Sequence, residues 1–193
     1  MSASAIAGKQ VERWFLLPDA ATFARHLDRP LRWTKLRHAI LTNDLFDGSL
    51  SNEAIAAVFG VMAAAPRHTF QVLTKRPERM REWFEWAAGR GEDLQAEIGQ
   101  VPPPGVGAPA SYCVMVVGEK ATAGVLTEAQ FEVGVRADWP LPNVWLGVSV
   151  EDQATADARI PLLLQTPAAK RFVSYEPALG PVDFAPWMPI PTP

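Results

Sequence analysis

The sequence predicts an α/β protein built as a partial (β/α) barrel, with parallel strands in about four strand–helix units. Short apolar runs alternate with amphipathic stretches along much of the chain, and this alternation is typical of helices packed around a parallel sheet. The composition agrees with a folded domain: of 193 residues, 48% are hydrophobic and 20% are charged. A chain of this length and composition can bury a core.

The first unit begins after a predicted short helix at residues 19–28. Residues 39–42 (AILT) form an apolar run that ends in Asn43 and Asp44. Ser51 is a predicted N-cap, with Glu53 in the first turn of the helix that follows. In that helix the apolar residues Ile55, Val58, Phe59 and Met62 recur with helical spacing. The helix is predicted to stop near Pro66.

The second unit has the same order. The run 70–73 (FQVL) leads into Thr74, Lys75 and Arg76, and Pro77 suits the first position of a helix because that position needs no backbone N–H. The apolar stripe of this helix is Met80, Trp83, Phe84 and Ala87. Gly89 is predicted to end it.

Two further strands are predicted near the end of the chain. Residues 144–150 (VWLGVSV) precede Glu151 and Asp152 at a helix start. The helix 154–165 contains Pro161, which predicts a kink or two short helices that meet at Ile160. Residues 171–174 form the fourth strand, and no further helix is predicted after it.

The domain organisation follows from these units. Residues 1–184 are predicted to form one partial-barrel domain, and 185–193 form a proline-rich tail. The segment 89–142 is too long for an ordinary strand–helix connection and is therefore an insertion. Within it, 101–109 is predicted as an extended linker, and 112–117 and 125–135 contain strand-like pieces that could pair as a hairpin. A helical turn over 127–131 is the alternative.

Charge and cysteine content exclude several classes of function. The net charge of −3 gives no overall attraction to nucleic acid or anionic lipid, although it is compatible with a local basic patch. The single cysteine, Cys113, excludes an intrachain disulfide and a cysteine-only metal site, so no metal site is predicted. No signal peptide or membrane span is predicted, and the expected location is the cytoplasm. Motifs for zinc proteases, P-loop nucleotide binding and serine hydrolysis do not occur.

Candidate ligand-binding residues lie where the predicted strands end, because helix N-termini and loops converge there in parallel sheets. Lys75 and Arg76 would hold a phosphate or carboxylate, and Glu151 and Glu176 would accept protons or ribose hydroxyl groups. Taken singly, each of these polar residues is also explained by helix capping. The histidines, His26, His38 and His68, fall at the opposite end and are expected to have surface roles. The ten candidates are Asn43, Asp44, Thr74, Lys75, Arg76, Ser149, Glu151, Asp152, Ser174 and Glu176.

Several strings of the sequence closely resemble an uncharacterised family of bacteriophage and bacterial proteins. They are TFQVLTKRPERM (69–80), LPNVWLGVSVEDQATADARIPLLLQTPA (141–168) and RFVSYEPALGPVDF (171–184), with PLRWTKLRHAILTNDLF (30–46) as a looser match. Together they cover more than a third of the chain.

This resemblance implies a partial barrel similar to that of radical S-adenosylmethionine enzymes, with the spore photoproduct lyase group nearest. Full-length members are expected to carry three closely spaced cysteines near the N-terminus, which would hold a four-iron four-sulfur cluster that cleaves S-adenosylmethionine. This chain has no cysteine there, so no cofactor is expected in it, and it is expected to be truncated at both ends.

Three hypotheses of function follow, in this order. The first is a truncated or split member of the radical enzyme family, not catalytic alone and completed by a separately encoded segment or by self-association. The second is a non-catalytic module that binds a phosphate-bearing or nucleotide ligand at the strand ends. The third is a cofactor-independent barrel enzyme that uses Glu151 or Glu176 as base and Lys75 as electrostatic partner. Whether the chain is an enzyme is left open.

Overall fold

A computed structural model describes residues 10–14, 20–41, 43–99, 108–120 and 125–188. Its strands form one parallel sheet whose order in space equals the order in the chain. They are β1 (Gln10–Trp14), β2 (Arg37–Leu41), β3 (Thr69–Thr74), β4 (Val144–Val150) and β5 (Lys170–Tyr175). Each crossover therefore adds the next strand on the same side, as in a (β/α) barrel. The predicted fold class is confirmed, with five strands where about four were expected.

Six α-helices connect and cover the strands. They are α1 (Ala20–Leu27), α2 (Asn52–Ala64), α3 (Pro77–Ile98), α4 (Ala108–Lys120), α5 (Glu128–Val135) and α6 (Gln153–Gln165), within the described part of the chain. Short 3-10 helices occupy Arg29–Arg32 and Ala185–Trp187. None of the described helices is long and apolar enough to cross a membrane.

Helices α2 and α3 begin at the residues that the sequence predicts. The Ser51 side chain accepts a hydrogen bond from the backbone N–H of Ala54 and so caps α2. Pro77 is the first residue of α3. The predicted apolar stripes are buried, and Met62, Met80 and Trp83 have no exposed surface. These stripes attach α2 and α3 to the sheet.

The two faces of the sheet differ in burial. On one face lie Trp14, Ala39, Phe70, Val72 and Leu146, all of which are buried in the helix-covered core. On the opposite face, one row of neighbouring residues crosses all five strands: Arg13, Ile40, Gln71, Trp145 and Lys170. Every member of that row is half-buried or exposed. We name this side of the sheet the open face.

The insertion is helical, so the expected hairpin is wrong. Residues 112–117 belong to α4, and the alternative helical turn at 127–131 is part of α5. In α4 the fully buried residues Ala110, Cys113, Val114 and Val117 have the spacing of one helix face. This stripe packs against α2, and the free energy gained by burying it outweighs the preference of valine for strands. Of the predicted linker, 101–107 lies outside the described residues, and Pro109 is in α4.

One helix boundary and one of the alternatives at Pro161 also differ from prediction. Gly89 does not end α3, which continues to Ile98 and is capped by Gly99 at φ 66°. One helical glycine costs only about 1 kcal/mol, which tertiary packing can outweigh. Helix α6 is one helix through Pro161, because buried Ile160 and Leu163 hold both halves against the core. The alternative of two short helices is therefore wrong, and the kink stays a prediction.

His38 and His68 lie at the predicted end of the sheet but not on the surface. His38 is 2% exposed in β2 and His68 is 1% exposed just before β3. Their rings contact Trp145 and Trp33, respectively. The expected surface role is therefore wrong for these two residues, which are buried among aromatic side chains.

Candidate functional site

The carboxyl ends of β2, β3 and β4 surround a cleft of about 460 Å³. The cleft has an apolar floor and a polar margin that contains both cations and a carboxylate. Its lining residues are Leu41, Asn43, Asp44, Leu73, Thr74, Lys75, Arg76 and Ser149. We call these residues, together with the neighbouring Glu151, Asp152 and Arg159, the C-terminal rim.

Asp44 is the hub of one half of the rim. Its Oδ1 accepts a hydrogen bond from the Thr74 hydroxyl at 2.6 Å, and its Oδ2 accepts one from the backbone N–H of Lys75 at 3.1 Å. The same Oδ2 lies 3.3 Å from Arg76 Nη1. The Thr74 hydroxyl oxygen in turn accepts a hydrogen bond from the Arg76 backbone N–H. These bonds join the end of β2 to the turn between β3 and α3.

Glu151 is the hub of the other half. Its Oε1 lies 2.6 Å from Lys75 Nζ and its Oε2 lies 2.9 Å from Arg159 Nη1. Arg159 also donates to the backbone carbonyl of Ser149 at 2.7 Å, which anchors it to the end of β4. The hydrogen bond from Lys75, with the charges of both cations, lowers the pKa of Glu151 although its burial opposes this. A carboxylate held ionised in this way is a weak general base.

Asp152 is accounted for by helix capping. Its side chain accepts a hydrogen bond from the Thr155 backbone N–H at 2.9 Å and a second one from the Thr155 hydroxyl at 2.8 Å. These bonds lower the pKa of Asp152. The carboxylate thus serves the first turn of α6, which is the alternative explanation that the sequence offered.

The end of β5 contributes less to the rim. Ser174 pairs with Ser149 across the β4–β5 register, on the open face. Glu176 is exposed and has no hydrogen bond or ion pair within the described residues. The segment after Glu176 folds back onto the rim, where the backbone N–H groups of Leu179 and Gly180 donate hydrogen bonds to the Glu151 carbonyl.

Arg159 is the rim residue that sequence reasoning missed. The strand pattern points only to residues at or just after the strand ends, whereas Arg159 lies in the second turn of α6. The sequence feature that could have identified Arg159 is its position three residues after Ala156. Ala156 is buried, so Arg159 lies near the sheet side of the helix. From there it reaches back to Glu151.

Comparison with known proteins gives a family without an assigned activity. Residues 3–188 match the model of a protein family of unknown function, DUF5131, and the chain belongs to that family. No curated protein and no solved structure matches the chain.

The residues of this chain do not fit the four-iron four-sulfur cluster that the sequence resemblance implies. Such a cluster needs several thiolates, whereas the sequence contains the single cysteine Cys113. That thiol is fully buried in α4, and burial strongly raises its pKa. Among the described residues, no group of three or more histidine, cysteine or acidic side chains is placed to hold a metal ion.

Proposed function

We propose that this chain is a binding module that takes a phosphate-bearing, nucleotide-type ligand at its C-terminal rim. The observation that carries the proposal is the pair of exposed cations, Lys75 and Arg76, beside the cleft and directly before α3. Both side chains are about half exposed, at 54% and 53%. A ligand in the cleft can therefore reach their charged ends.

The ion pairs of the rim orient these cations without using all of their donors. Glu151 contacts the Lys75 ammonium, which has three N–H groups, and Asp44 contacts one nitrogen of the Arg76 guanidinium, which has five. The remaining donors can bond phosphate oxygens. The amino end of α3 adds the partial positive charge of its dipole at the same place.

The resemblance to radical S-adenosylmethionine enzymes also implies that a ligand binds at this end of the sheet. It does not supply a reaction for this chain, because the thiolates that such chemistry needs are not among its residues. We therefore propose that the chain is not catalytic alone and that any radical step belongs to a complex with a second, cysteine-bearing polypeptide.

Titration calorimetry with ADP tests the proposal. Lys75→Met and Arg76→Gln should each weaken ADP binding about tenfold, because each removes a charge-assisted hydrogen bond to phosphate. Lys170→Met and Arg90→Gln are matched controls, since they remove an exposed lysine from the start of β5 and an exposed arginine from α3. Both controls should bind ADP as the wild type does.

Either of two results would contradict the proposal. If ADP fails to bind the wild type, or binds all four variants equally, the rim is an ion-pair network that only stabilises the turns. The third hypothesis, with Glu151 as base, is disfavoured by the lowered pKa of that carboxyl group.

A further inference from the structure

A second charged region lies at the opposite end of the sheet. Residues 25–37 (RHLDRPLRWTKLR) hold five of the 18 lysines and arginines of the chain and one acidic residue, although the whole chain has a net charge of −3. The segment runs from the end of α1 through the first 3-10 helix to the start of β2. Since α1 connects two parallel strands, its carboxyl end lies at the amino-terminal ends of the strands.

The structure gathers these side chains around a cleft of about 540 Å³. Four guanidinium groups and one carboxylate line it, so positive charge is in excess. The lining residues are Glu12, Arg25, His26, Arg29, Arg32, Trp33 and Arg37, and we call this site the basic cleft. Its volume is in the range of sites that bind small molecules.

Only part of this charge is neutralised by neighbouring side chains. Arg29 pairs with Glu12, and Arg32 pairs with Asp28 at 2.7 Å. Arg25 and Arg37 have no ion pair among the described residues. The Nε of Arg37 is shielded from solvent and has no hydrogen-bond partner in that part of the chain. A shielded N–H of this kind does not reach a ligand in the cleft, so any bond from Arg37 to a ligand comes from its two terminal nitrogens.

The neighbouring His68 is neutral, chiefly because it is buried. Its Nδ1 accepts a hydrogen bond from the Arg37 backbone N–H at 3.2 Å, which holds the start of β2 in place. Burial, with the added charges of Arg67 and Arg37, lowers the pKa of His68 to about 4. The imidazole therefore stays neutral and adds no positive charge of its own.

We propose that the basic cleft binds adjacent phosphate groups of a polyphosphate-type ligand. Guanidinium groups match phosphate oxygens in bidentate geometry, and the two that have no ion pair, Arg25 and Arg37, suit adjacent phosphates better than a single carboxylate. The same chemistry is offered by a free polyphosphate and by the backbone of a nucleic acid. The site is separate from the C-terminal rim and does not depend on the function proposed there.

The experiment uses two probes. Sodium tripolyphosphate is titrated by calorimetry, and a labelled single-stranded oligonucleotide of about 12 nucleotides, long enough to span one single-strand binding site, is followed by fluorescence anisotropy over a range of salt. Arg25→Gln, at an exposed position, should weaken binding about tenfold. Arg37→Gln should do the same, and Arg25→Gln keeps the test valid if Arg37→Gln impairs folding.

A charge-matched control tests whether the effect is specific to this site. Arg90→Gln on α3 should bind tripolyphosphate as the wild type does. Tight binding of tripolyphosphate with weak oligonucleotide binding assigns a free polyphosphate. Strong oligonucleotide binding, with a salt dependence that Arg25→Gln reduces, assigns a nucleic-acid backbone. If neither probe binds, or Arg25→Gln binds both as the wild type does, the proposal is wrong.

Discussion

His68 shows how burial decides the charge of a single residue. A neutral imidazole accepts a hydrogen bond at one nitrogen only, and two N–H groups face the ring: the backbone N of Arg37 lies 3.2 Å from Nδ1, and Arg67 Nε lies 3.2 Å from Nε2. A protonated ring would accept from neither, and it would also face the positive charges of Arg67 and Arg37. Both effects favour the neutral ring, in agreement with a pKa lowered from 6.5 to about 4.

This lowered pKa predicts acid-sensitive folding. Above pH 6.5 His68 is neutral in both states, and between pH 6.5 and 4 only the unfolded chain gains the proton. The free energy of unfolding should therefore fall by about 3 kcal/mol over this range because of His68 alone. In His68→Gln this part of the pH dependence should vanish. Urea unfolding of both proteins at several pH values measures it, and parallel curves would show that His68 does not titrate as described.

The rim residues divide into those that sequence could identify and those that it could not. Lys75, Arg76 and Asp44 follow predicted strands, and parallel strands bring their ends to one edge, so their convergence was foreseeable. Arg159 was not, because its role depends on how far a long side chain reaches back from α6. Asp152 has the residue type of a ligand-binding group and the hydrogen bonds of a cap, which only coordinates distinguish.

At the scale of elements, the contact between α2 and α4 depends on a glycine. A Cβ at Gly60 would lie 2.2 Å from the backbone carbonyl oxygen of Cys113, closer than non-bonded atoms can approach. The partner in this clash is backbone, so a rotamer change cannot relieve it. The two helices meet at this distance because position 60 has no side chain.

Gly60→Ala should therefore destabilise the protein by about 2 kcal/mol or more, since the helices must separate and lose packing. Gly89→Ala is the control, because a Cβ there would have no atom within 4 Å. That change should stabilise the protein by about 0.5 to 1 kcal/mol through helix propensity alone. Thermal unfolding of the two variants measures both effects. Equal melting temperatures would mean that α2 and α4 do not cross at Gly60.

Element prediction succeeded where one physical signal dominated. The apolar run of β4 and the stripes of α2 and α3 were identified because burial on a fixed period leaves a clear pattern. The first strand, β1, was not predicted, since two of its five residues, Glu12 and Arg13, are charged. Helix α4 was mistaken for a strand because its valines suit either structure until its packing partner is known.

At the scale of the whole molecule, the sheet has two edges and one open face. Within the described residues, β1 and β5 each pair with a single strand, and Val11 on β1 is 52% exposed. Edges and apolar surface of this kind favour association. We therefore expect the chain to self-associate as its concentration rises.

Val11→Lys should weaken this association, because a lysine at a sheet edge disfavours strand pairing. Size-exclusion chromatography with light scattering, run at increasing concentrations, gives the mass of both proteins. A wild-type chain that stays monomeric throughout would show that the edges and open face are covered.

We propose one ligand site where the strand ends converge, at the C-terminal rim. Hydrogen–deuterium exchange with and without ADP tests it most directly, since it locates the ligand on the unmodified chain. We predict slower exchange on ADP binding in residues 74–79 and 149–152, the segments that surround Lys75 and Glu151. Unchanged exchange in both segments, or protection confined to residues 25–37, would contradict this account.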